Sequence, residues 1–293
     1  MASADTVLYE KDGAVARITL NRPEKLNALE DGLLEDMYAA MREADLDEDV
    51  RAIVLAGAGP SFCAGHDLGS DDPHREGGGR QALAREMQTE LEGPERLFKR
   101  EQYMYYDQSL WHRDLSTPTI AAVQGWCVAG GLMLVAMCDL IVAADDAKFA
   151  NPVLRQTNGG AEILVEPWEL GPRRAKEFLW TGDPLDATEA LSCGLVNRVV
   201  PRDDLDAEAM RLANRIALTP RMAVQLTKRT INHAMDCMGQ RSSWEYHFMA
   251  HQLAHWTHEA AELTREMSRS DLTAREFIKE RDARYRAVQE AAS

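Results

Sequence analysis

Three short apolar runs constrain this chain most: "VRAIVLAGAGPSF", "PTIAAVQG" and "DLIVAAD". Each is too short for a buried helix and stops at a Gly, Pro or Asp turn signal, so each reads as a buried strand, the first over residues 50–55. Ahead of them, "TVLYEKDGAVARITLNRP" alternates on both sides of Asp12-Gly13, the pattern of a hairpin. Leu33, Leu34, Met37 and Met41 recur at helical spacing, which predicts a helix over 30–44. Strand, helix and strand in succession point to an α/β layer.

The charged, glycine-rich text over 69–79 reads as a surface loop. Helical spacing resumes through "QALAREMQTELEGPERLFKREQYMYYDQSLWHR", while "AKFANPVLRQTNGGAE" is irregular in the way of loops that carry chemistry beside strand ends. Then "PRRAKEFLWTG", "DATEALSCG" and "LVNRVVP" give helix, helix and strand, with Gly182 and Gly194 as helix stops. Beyond Pro201 the text is almost wholly helical. The expected division is a core over 1–203 followed by a helical oligomerisation region over 204–293.

A chain of 293 residues can bury a large core. Its formal net charge of -15, from 33 basic and 48 acidic residues, sets the overall field against nucleic acid and anionic membranes. No apolar stretch reaches spanning length, and "MASADTVLYEKDG" lacks the charged start and apolar run of a signal peptide, so a cytoplasmic protein is expected. Cys63, Cys127, Cys138, Cys193 and Cys237 form no close pair and read as reduced thiols, with packing the expected role of Cys63 and Cys127.

Four ordered segments, "ITLNRPEKLNAL", "RAIVLAGAGPSFCAGHDL", "PTIAAVQGWCVAGGLMLVAMCDLIVAADDAKFANP" and "LWTGDPLDATEALSCGLVNRVVP", cover most of residues 15–202. Together they resemble the crotonase superfamily, the enoyl-CoA hydratase/isomerase family. The resemblance implies a spiral of repeated ββα turns, a homo-trimer or a hexamer built from two trimers, and an acyl-CoA thioester as substrate. It also implies an oxyanion hole made of the backbone N–H groups of His66 and Gly130, where an enolate forming from a thioester would find fixed donors. Lys25, Ala64, Asp67, Leu68, Gly131, Met133 and Val153 fall at substrate-binding places, and coenzyme A enters only as part of the substrate.

In hydratases of the family two glutamates hold the reacting water, and their places here are taken by Met133 and Val153. Neither side chain exchanges a proton, so the reaction expected is isomerisation, hydrolysis or another enolate chemistry, and the alternative is an inactive acyl-CoA-binding paralogue. Related branches carry a working carboxylate about eight residues after the second glutamate. Counting from Val153 reaches Ala161, one residue short of Glu162, the first catalytic candidate, with Glu166 and Glu169 behind it. The plain readings are a solvated loop or subunit-contact residue for Glu162 and a bystander for the His66 ring.

His247, His251, His255 and His258 share one helical face, but no HExxH pattern assigns them an acidic partner, so the stripe reads as packing or an interface with no metal expected. Tyr103, Tyr105, Tyr106 and Trp111 fall in a segment that walls the acyl pocket in the family. Lys279, on the last helix, is a candidate contact to a CoA phosphate.

Overall fold

A computed structural model describes residues 6–67 and 93–290. The loop expected at 69–79, the helical text over 81–92 and the candidate Leu68 lie outside the described residues. The N-terminal hairpin forms as expected, β1 (Val7–Asp12) against β2 (Val15–Leu20), closing with Asp12 opposite Val15. From β2 the large sheet continues through β3 (Ala52–Gly57), β4 (Thr119–Val123), β6 (Leu140–Ala144) and β9 (Arg198–Val200), all paired in parallel. A second sheet joins β5 (Trp126–Val128), β7 (Lys148–Ala150) and β8 (Leu185–Asp186).

The continuous apolar runs have a direct physical reason: the central strands β3, β4 and β6 are buried on both faces. Along β3, Ile53 and Leu55 enter the main core with Leu34, Met37 and Met41 of the helix Asp31–Leu46. The alternate residues Ala52, Val54 and Ala56 face a second core, built with Leu205, Ala209 and Leu212 of the helix Leu205–Ala217. A strand with no solvated side has no polar alternation to show.

Successive strands then alternate between sheets. β4 of the large sheet is followed by β5 of the small one and the helix Gly130–Ala136, and β6 by β7 and the short 3₁₀ turn Pro152–Gln156. This repeated passage is the expected ββα spiral. The helices Pro172–Thr181 and Ala187–Cys193 end at Gly182 and Gly194 in left-handed conformation, as the sequence predicts. Among the described residues no helix is long and apolar enough to cross a membrane.

The motif "NRPEKLNAL" holds this spiral together at one point. Buried Asn27 donates from Nδ2 to the carbonyls of Ala58, Ser61 and Phe62 and accepts at Oδ1 from the Arg22 amide. The Arg22 guanidinium in turn donates to the Ala28 carbonyl and pairs with Asp67 at 3.1 Å. Leu29 can then bridge to the next turn, its N–H donating to the Gly65 carbonyl at 2.7 Å and its carbonyl accepting from Asp67 at 2.8 Å. Asn27→Ala is expected to cost about 3 kcal/mol in chemical denaturation, because bonds are lost and buried carbonyls are left short of a donor. A loss below about 1 kcal/mol would show that Asn27 is not the tie.

Candidate active site

His66 sits on the strand-like bridge to Leu29, following Gly65, whose φ of 88° is left-handed. A Cβ at Gly65 would lie 2.8 Å from the Val128 carbonyl oxygen, so the two chain segments close to a distance only glycine permits. In the parallel bridge the bonds to Leu29 use the Gly65 carbonyl and the Asp67 amide, which turns the His66 N–H to the opposite side.

Gly130 opens the helix Gly130–Ala136, so its N–H belongs to the first turn and has no acceptor within the helix. A Cβ there would meet the His66 ring at 2.9 Å, and one at Gly131 would meet the Cys63 carbonyl at 2.8 Å. The glycine pair thus admits an imidazole on one side and backbone on the other. Cys63 and Cys127 are buried packing groups, as expected; burial pushes the Cys63 thiol up to about 12, and all five cysteines are free.

Beside these residues lies a cavity of about 260 Å³. Ala64, His66, Asp67, Val153 and Glu162 line it, together with residues that the sequence did not assign to the site: Arg100, Glu101, His251 and His255. His66 Nε2 and Glu162 Oε1 are 2.9 Å apart, and Glu162 is 3% exposed. The solvated-loop reading of Glu162 therefore fails, since the carboxylate is buried away from water, and the His66 ring is its partner. Glu162 Oε2 has no hydrogen-bond partner among the described residues. Tyr105, placed by the wide helical turn Gln102–Asp107, packs at a tilt against the His66 ring with centroids 4.4 Å apart. Burial keeps its phenol protonated far above the usual range.

The histidine stripe supplies the clamp for the Glu162 loop. His247 Nε2–H donates to the Ala161 carbonyl at 2.8 Å and His251 Nδ1–H to the Gly160 carbonyl at 2.9 Å. Packing was the expected role, and the packing is on the candidate catalytic loop. His258 stands apart, exposed beside Glu262. The acid that meets His251 and His255 is Glu101, at the end of the helix Gly93–Glu101. A separation of 150 residues between Glu101 and His251 left no local signal.

The other candidates are distributed differently. Met133 is buried in the main core, whereas Val153 faces the cavity. Lys25 is half-buried in the turn Pro23–Lys25, and neither it nor Lys279 lines the cavity. Asp67 does, while paired with Arg22. Glu166 is buried and accepts from Asn151, and burial raises its carboxyl. Glu169 is pushed up to about 7 by burial and the neighbouring Glu166, but it faces a different, larger cavity against the helix Arg221–Cys237. Neither lines the cavity holding His66.

Burial disfavours both charges of the His66–Glu162 pair, but their mutual attraction and hydrogen bond prevail: the imidazole is raised and the carboxyl lowered. Both shifts describe the same ion pair. Glu101 is likewise held well below the carboxylate range, against its own burial, by hydrogen bonds from His251 and His255. Arg100, tied to Asp31 at 2.5 Å, lowers His66, while Glu101 raises it.

Glu162 contributes stability that is complete above its ordinary value of 4.5 and is lost as pH falls through its lowered folded value. His66 contributes stability that is complete below 6.5 and is lost as pH rises through its raised folded value. The pair is therefore expected to support the fold fully between those two ordinary values. Thermal midpoints measured across pH should show Glu162→Gln losing most in that window, and a difference from wild type that is flat with pH would contradict the pairing.

A family model described as enoyl-CoA hydratase/isomerase matches residues 10–266. Over 251 residues, 84% of this chain and 79% of the relative, the sequence is 41% identical to EchA13 of Mycobacterium tuberculosis, whose name places it among the enoyl-CoA hydratases. The structure is similar to that of a probable enoyl-CoA hydratase of Mycobacterium smegmatis, with TM-score 0.76, 40% identity, and 85% and 94% of the two chains covered. It is also similar to an enoyl-CoA hydratase/isomerase of Xanthobacter autotrophicus, with TM-score 0.81, 34% identity, and 96% and 99% covered.

Proposed function

The chain belongs to the enoyl-CoA hydratase/isomerase family, and we propose that it isomerises an unsaturated acyl-CoA thioester, with Glu162 as the group that moves the proton. The observation that carries this reading is the buried 2.9 Å contact between Glu162 and His66 on the cavity wall. The thioester oxygen would lie between the His66 and Gly130 amides, where negative charge develops as a proton leaves carbon. Glu162, ionised and with Oε2 unengaged among the described residues, takes that proton and returns it further along the acyl chain.

One carboxylate suffices for such a shift, because the proton removed is the proton replaced. Hydration in the family's manner needs two groups on a water, and Val153 now faces the cavity where one of them would stand. The hydratase names of the relatives keep hydration as the second reading, with the His66 ring as the proton carrier paired with Glu162. An inactive acyl-CoA-binding role is the third, and turnover on a panel of thioesters separates it from both. Five free cysteines accord with a reducing, cytoplasmic setting.

Glu162→Gln keeps the shape and removes the base. It is expected to lower kcat for interconversion of 2-enoyl- and 3-enoyl-CoA by about a hundred-fold or more, with thioester affinity nearly unchanged. Normal turnover by that variant would end the assignment, and crotonyl-CoA hydration near about 10⁸ M⁻¹s⁻¹ in kcat/KM would replace isomerisation with hydration.

Tyr246, Met249, Leu253 and Trp256, all exposed along and just beyond the helix Gln240–Ala254, form an apolar face that we assign to a trimer or hexamer contact. Light scattering on the full chain should report that assembly at micromolar concentration; a monomer there would exclude it.

A further inference from the structure

We propose that Glu101, His251 and His255 form a binding site for a divalent transition ion of the zinc class, opening on the cavity that holds His66 and Glu162. The three ligand atoms are already spaced for it. Glu101 Oε2 lies 3.2 Å from His251 Nε2 and 3.4 Å from His255 Nε2, and the two nitrogens are 3.2 Å apart. An ion held tetrahedrally with bonds of about 2.0–2.1 Å separates its ligand atoms by about 3.3 Å. The triangle therefore needs almost no adjustment to accept one.

Hydrogen bonding alone does not satisfy this triangle. His251 Nδ1 faces the Gly160 carbonyl at 2.9 Å and must carry a proton, so the nitrogen left for the cluster is Nε2. If each imidazole aims an Nε2–H at Glu101, two donors confront each other across 3.2 Å. If one gives up its proton, that ring turns a lone pair toward the carboxylate. A cation at the centre satisfies all three edges at once.

The surroundings are those of a supported metal site. The Gly160 carbonyl fixes the His251 tautomer and ring, and Gln252 Nε2 donates to Glu101 Oε2 at 2.6 Å, leaving that oxygen a further lone pair. Glu101 is 7% and His251 3% exposed, so the ligands are held by packing. Two imidazoles and one carboxylate suit zinc-class ions over magnesium or calcium, which prefer all-oxygen sets. Three protein ligands leave a position for water, and all three line the cavity with Glu162. In a chain whose two water-holding glutamate places carry Met133 and Val153, such a site would bring a water into that cavity by other means. Metal binding at these residues does not depend on which reaction the enzyme performs.

The test uses the full chain, stripped with a chelator and titrated with Zn²⁺ and separately with Co²⁺. One ion per chain and the intense visible bands of four-coordinate Co²⁺ are expected. His255→Ala, which removes the half-buried ligand, should weaken Zn²⁺ by about a hundred-fold or more, and Gln252→Ala by about ten-fold. The wild-type Co²⁺ spectrum needs no variant to fold. Absence of stoichiometric binding, or affinity unchanged in His255→Ala, would overturn the proposal and leave the cluster a proton-linked ion pair.

Discussion

A carboxylate buried beside an imidazole is the interaction on which this site depends. Alone, Glu162 in its dry position would take up a proton; His66 Nε2–H at 2.9 Å keeps it charged. That requires the two residues to be fixed by separate parts of the chain. His66 is set by the Leu29 bridge and, through it, by Asn27 and Arg22. Glu162 is set by a loop whose carbonyls at Gly160 and Ala161 are gripped by His251 and His247. The helix Gln240–Ala254 is thus part of the site as well as of the surface.

Glycine at 130 is the second constraint, acting through space. The His66 ring occupies the volume a side chain at 130 would need. An alanine would push away either the imidazole, and with it Glu162, or the backbone turn whose N–H faces outward from the helix start. A single steric fact therefore couples the proposed donor end of the site to its proposed proton-transfer end.

Much of this was readable from the chain alone, and the boundary of legibility has physical causes. The hairpin, the helix from Asp31 and the strands β3, β4 and β6 announce themselves because local pattern and burial agree. β3 begins at Ala52, two residues after the apolar run starts, because Val50 is buried without pairing. Glu162 was reached by counting along a loop, which gives a neighbourhood but no orientation. The His66 ring passed for a bystander because its partner lies 96 residues on. Glu101 could not be read at all: "FKREQYMYY" offers an acid among aromatics and nothing to connect it with histidines near the other end of the chain. Local signals report what a residue does to its own helix or strand, and this cavity is assembled from contacts between distant ones.

Two buried carboxylates on one small cavity would ordinarily repel, forcing one to accept a proton. Here each has its own imidazole: His66 for Glu162, and His251 with His255 for Glu101. Both stay ionised: His66 outweighs Glu101 in the Glu162 balance, and the contacts with His251 and His255 hold Glu101 below the carboxylate range. The consequence concerns the reaction as much as the fold. An enolate is an anion, and a cavity carrying two bare carboxylates would oppose its formation, whereas one whose negative charges are matched on site leaves the backbone donors to act on the oxygen. The pairing keeps a carboxylate as buried as Glu162 ionised, as the proposed base must be.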